Sequence, residues 1–121
     1  METFYQKIGS ERLSKVLDLF YDQVFSSPVI SHLFKDSRES IQMKQFKFLV
    51  QFLGGPQLYT LEHGHPKMRM RHLPHRIDEK AKTEWLRCMR IAIDQVFHDD
   101  PELGNQFYNI FPPIAEHMKN S

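Results

Sequence analysis

The chain contains a single cysteine, so it forms no internal disulfide, which fits a reducing compartment. It lacks an excess of either charge. Sixteen Lys and Arg stand against 15 Asp and Glu, a formal net charge of +1. Nucleic acid or an anionic membrane surface would call for a basic excess, so neither is expected as a partner. No run approaches the length of a membrane span, about 18 apolar residues. The first positions, METFYQKIGSER, mix acidic and polar residues and contain no apolar core of signal-peptide length, so export is not expected. Strand signals are scarce, because the β-branched residues fall mostly on helical faces. No internal repeat, low-complexity tract or linker divides the chain. The expectation is one cytoplasmic domain over residues 1–121, a monomer or weak dimer, of all-α class.

What is present is phenylalanine and histidine: ten of the former and seven of the latter, with four histidines between His63 and His75. Leu13, Val16, Leu17, Phe20, Tyr21, Val24 and Phe25 recur at spacings of three and four, a helical stripe with Ser10 as its expected N-cap. Ser26-Ser27-Pro28 should end that helix, and Pro28 can open a short one leading to Leu33 and Phe34. A second stripe from about Ser37 carries Ile41, Gln45, Phe48, Leu49, Phe52 and Leu53 until Gly54-Gly55-Pro56 breaks it. Residues 56–65 show no period and read as a loop. Pro66 and Pro74 bracket a two-turn helix that is too short to stand alone in water. The next helix spans about Asp78 to Phe97, with Ala81, Trp85, Cys88, Met89, Ala92 and Val96 on one face. The last follows Asp100-Pro101 and carries Leu103, Phe107, Ile110, Phe111, Ile114 and Met118. Pro112-Pro113 should kink or split it.

The clustered histidines invite a metal reading, but their spacing matches none of the familiar zinc templates. His63 and His65 flank a glycine and read as exposed loop residues. His72 differs, since it lies on the Pro-bracketed helix near Met68 and Leu73, with Arg69 and Arg71 in the same two turns. One imidazole flanked by cations is what an iron porphyrin needs from one side, for iron and for propionates. A partly exposed histidine at a helix end is the alternative. Tyr21, Gln45 and Trp85 are polar-tipped residues on the apolar stripes of three separate helices. Each alone reads as a core or edge residue. Together they would form a cluster of O–H and N–H donors able to hold a partly negative ligand. Cys88 reads as a core thiol.

The ordered set Phe20-Tyr21, Phe34, Phe52-Leu53-Gly54-Gly55-Pro56 with Tyr59, His63-Gly64-His65-Pro66, Arg69-x-Arg71-His72-x-Pro74 and Trp85-Leu86-x-Cys88-Met89 resembles the group II, or O-type, truncated haemoglobins. The similarity runs from about Ile8 to Met118. It implies an abbreviated globin fold, a two-over-two helical sandwich around haem b, with His72 as the proximal iron ligand. It implies Tyr21, Gln45 and Trp85 as distal donors, Phe34 packed on the porphyrin, and Phe48 as a further cofactor contact. Arg71 and Tyr59, helped by Lys44 and Arg69, would contact the propionates. Dioxygen is the implied ligand, with NO and CO as further diatomics, and slow oxygen release would suit scavenging, sensing or redox chemistry. Nitric oxide dioxygenation or peroxide chemistry would require an electron donor, an unidentified reductase. The sequence departs from the family pattern at His75, where a Phe is usual, at Pro112-Pro113, and in its short first helix. Ile41 takes the place of the distal histidine of classical globins. The rival reading is a haem-free helical module that binds zinc or another divalent metal through its histidines.

Overall fold

The computed structural model describes residues 2–63 and 77–119, and these are helical throughout with no strand among them. Helix α1 (Phe4–Ile8) starts from a reciprocal cap, with the Gln6 N–H donating to Thr3 Oγ1 at 3.0 Å and the Thr3 N–H donating to Gln6 Oε1 at 2.7 Å. Gly9, at φ +82°, separates it from α2 (Ser10–Ser26). Ser10 is therefore the first helical residue and not the cap: the chain reverses on the glycine, which adopts positive φ without steric cost. Arg12 covers the end of α1 by donating to the Lys7 and Ile8 carbonyls.

A 3₁₀ turn (Ser31–Leu33) leads to α3 (Arg38–Phe52), which Ser37 caps by accepting from the Ser40 N–H. The segment after Gly54-Gly55-Pro56, expected to be a loop, contains a six-residue helix, α4 (Leu58–His63). Its periodicity is illegible at that length. What holds it is α3: the Gln51 side chain accepts from the Thr60 N–H at 2.9 Å and donates to the Thr60 hydroxyl at 2.7 Å, while Lys47 pairs with Glu62. Phe52, expected on the buried stripe of α3, is instead 51% exposed at the end of the helix. The helix expected between Pro66 and Pro74 lies outside the described residues.

Helix α5 (Glu79–Val96) is capped by Asp78, and α6 (Pro101–Tyr108) by Asp100 with Pro101 in its first turn. The last helix is split as the prolines require. A break at Asn109–Ile110 precedes α7 (Phe111–Met118), and Pro112 and Pro113 occupy its first turn, where a missing N–H has no helical acceptor to lose.

Two pairs result. α2 packs on α3, and α5 packs on α6 and α7, with the broad contact between α2 and α5 joining the layers. Leu13, Val16, Leu17, Phe20 and Val24 of α2 are buried in one core with Cys88, Met89, Ala92 and Ile93 of α5. Phe107 of α6 and Phe111 of α7 close it, ring to ring at 5.2 Å.

Candidate functional site

Between the pairs lies a cavity of about 250 Å³. On α3, Ile41, Lys44, Gln45 and Phe48 line it, an i, i+3, i+4, i+7 set that a helix presents on one face. Tyr21 enters from α2, Phe34 from the segment after the 3₁₀ turn, Tyr59 from α4 and Trp85 from α5. All seven cofactor-binding residues expected within the described segments, Tyr21, Phe34, Lys44, Gln45, Phe48, Tyr59 and Trp85, thus line one space. Arg69, Arg71, His72 and His75 lie outside the described residues.

Aromatic contacts fix the geometry of this space. Phe20 stands edge-on to both Tyr21 (4.8 Å between centroids) and Trp85 (5.1 Å), Tyr21 is edge-on to Phe34 at 6.2 Å, and Phe48 is edge-on to Tyr59 at 5.8 Å. Such pairs hold ring orientation as well as burying area. Tyr21 is 2% exposed, and burial alone pushes its phenol above the ordinary tyrosine range, so it remains a neutral O–H donor. Among the described residues, the Tyr21 hydroxyl, the Gln45 amide and the Trp85 indole N–H make no hydrogen bond, yet all three side chains line the cavity. No fully buried side-chain N or O among the described residues lacks a partner, so these donor atoms open onto the cavity. Three without a partner among the described residues, at one cavity, can serve a ligand that accepts hydrogen bonds.

The sequence reading missed Leu33, Lys35 and Asp36, and Ile114 and Met118 of α7, all of which line the same cavity. The α7 pair lies four residues apart on an apolar stripe, a pattern that looks identical whether the face meets protein or cofactor. Cys88 is fully buried and burial is the main cause that pushes its thiol up to about 11, as suits a core residue.

A family model of bacterial-like globins matches residues 3–120. The chain belongs to that family. This globin is 41% identical over 116 residues to the group 2 truncated hemoglobin YjbI of Bacillus subtilis, covering 96% of this chain and 87% of that protein. Its fold is similar to the crystal structure of the truncated oxygen-avid haemoglobin from Bacillus subtilis, with TM-score 0.91, 40% identity, and coverage of 98% and 100% of the two chains. It is similar also to the group II truncated hemoglobin from Bacillus anthracis, with TM-score 0.92, 37% identity, and coverage of 100% and 98%. The globin therefore has the truncated fold and haem b as its cofactor. The lining fits such a group. Phe34, Ile41, Phe48, Ile114 and Met118 suit an apolar macrocycle, and Lys35 and Lys44 add cations for its carboxylates. These similarities give no support to the haem-free zinc module, whose His65, His72 and His75 lie outside the described residues. Among the described residues no three His, Cys, Asp or Glu side chains converge on a metal position, and no helix is long and apolar enough to cross a membrane.

Proposed function

We propose that this globin binds dioxygen at a His72-ligated haem and holds it with Tyr21, Gln45 and Trp85. The observation that carries this reading is the convergence of three donors, each unpartnered among the described residues, from three helices on one cavity. The haem supplies the iron to which diatomic ligands bind. The chain supplies the rest: His72 as proximal ligand, Phe34 and Phe48 packed on the macrocycle, and Lys44, Tyr59, Arg69 and Arg71 toward the propionates. A dioxygen ligand carries partial negative charge, which a neutral phenol, amide and indole can each meet with a hydrogen bond. Ile41 offers no polar atom, so discrimination among O₂, NO and CO falls to the three donors. Slow oxygen release suits scavenging, sensing or nitric oxide detoxification with an external reductase.

A hydrogen bond to a partly charged acceptor contributes about 1.5–3 kcal/mol, which corresponds to about 10- to 150-fold in a dissociation rate. Tyr21→Phe removes one donor with little change of shape. It should raise the oxygen dissociation rate, read by stopped-flow displacement with carbon monoxide, at least about 10-fold. A variant that releases oxygen at the parent rate overturns the distal assignment.

A further inference from the structure

Among the described residues, Ser27 is the one non-aromatic polar side chain that is buried, at 4% exposure. It caps the C-terminus of α2. Its hydroxyl donates to Glu84 Oε2 at 2.6 Å and accepts from the Val29 N–H at 3.2 Å. The Glu84 side chain is 14% exposed, and Arg87 grips it with two further hydrogen bonds of 2.7 Å. Its partners keep this carboxylate ionised, which a shielded charge requires.

The placement of this link gives it a use beyond stability. Glu84 immediately precedes Trp85 on α5. The turn that begins at Ser27 runs through Ile30 and Leu33 to Phe34, and these three residues line a small apolar cavity together with Trp85. The Ser27–Glu84 bond therefore fastens the Phe34-bearing turn to the Trp85-bearing helix. Apolar packing between α2 and α5 is non-directional and tolerates small rotations. A short charge-assisted hydrogen bond from a buried hydroxyl does not. Hydrogen bonding by the indole N–H demands placement within a few tenths of an ångström.

We propose that Ser27 and Glu84 are positioning residues for Trp85, locking the rotation of α5 so that the indole N–H is aimed at the ligand. The proposal rests on the distal role given to Trp85 above. Trp85 is the only tryptophan in the chain, so the nitrogen-15 NMR spectrum of the haem-loaded carbon monoxide adduct contains one indole N–H cross-peak. Ser27→Ala should shift, broaden or double that peak and raise the oxygen dissociation rate about 3- to 10-fold. In a Trp85→Phe background, Ser27→Ala should add nothing to the rate. Glu84→Gln keeps an oxygen for the Ser27 hydroxyl and should stay closer to the parent in both readouts than Glu84→Ala. Should Ser27→Ala fail to yield haem-loaded protein, Glu84→Ala carries the same comparison. A parent-like cross-peak and rate in Ser27→Ala, with Trp85→Phe releasing oxygen fast, overturns the positioning role and leaves the distal reading standing. An effect of Ser27→Ala that persists undiminished without Trp85 overturns it too. If Trp85→Phe itself releases oxygen like the parent, the distal role of Trp85 falls and takes this proposal with it.

Discussion

Tyr21 and Glu84 are shielded side chains whose chemistry is set in opposite ways by what surrounds them. Among the described residues no charged neighbour acts on the Tyr21 phenol, so burial fixes it as a neutral donor. Glu84 has two partners, and Arg87 first, then Ser27, hold its carboxyl at about 2 against the opposing effect of burial. A carboxyl held below its unfolded value contributes stability that is complete above the unfolded pKa and is lost as pH falls through the folded one. That window lies between about 4.5 and about 2. Arg87 is half exposed, which screens its share, so on the order of 1–2 kcal/mol is expected. Glu84→Gln should therefore be less stable than the parent in urea unfolding at pH 7, and the gap should narrow by pH 3. A gap that is constant across that range sinks the assignment. Glu79 and Glu116 are also lowered, by Lys82 and Lys119, but all lie at the surface and add little to this window. The places of Tyr21, Gln45 and Trp85 on the cavity wall are legible because each interrupts an apolar stripe with a polar tip. Ser27 and Glu84 are not legible, since a serine before proline reads only as a helix end and a glutamate beside lysines and arginines reads as solvated surface.

The elements with long periodic stripes follow the sequence to within a residue or so: α2, α3 and α5 begin and end near the caps and breakers that mark them. The exceptions have local causes. α4 is too short for a stripe to show, and it is stabilised from outside by Gln51 and Lys47 of α3. The partition of the last helix at Asn109–Ile110 follows from Pro112 and Pro113, which can begin a helix and cannot continue one. Gly104 shows a constraint that spacing alone could not reveal. A Cβ there would lie 2.8 Å from the Phe97 Cβ and 3.5 Å from Ile93, so α6 approaches the end of α5 more closely than a side chain permits. The Phe97 Cβ is tied to the backbone and cannot swing aside. Gly104→Val should therefore cost about 1–3 kcal/mol through overpacking. The urea midpoint at unchanged slope is the measurement, and a midpoint at or above the parent value would show that the α5–α6 contact yields freely.

For the whole molecule, the cavity between the layers determines how stability depends on the cofactor. Three long helices and two short ones carry most of the core of a 121-residue chain, and a space of about 250 Å³ lies among them. At about 24 cal/mol per Å³, leaving such a volume empty would cost up to about 6 kcal/mol, with inward relaxation and water entry lowering the figure. Domains of this size have a total stability of only about 5–15 kcal/mol. Haem bound in that volume would stabilise the folded state directly. The two-turn helix expected from the sequence between Pro66 and Pro74 would be too short to stand alone, and ligation by His72 would tie it down. Haem-free protein should therefore melt at least about 10 °C below the haem-loaded form by circular dichroism. His72→Ala with added haem should lose most of the Soret band and melt near the haem-free value, whereas His63→Ala should match the parent in both. Equal melting with and without haem would refute the cofactor as part of the core. A His72→Ala variant that keeps its colour and its melting point would move the proximal ligand to another residue.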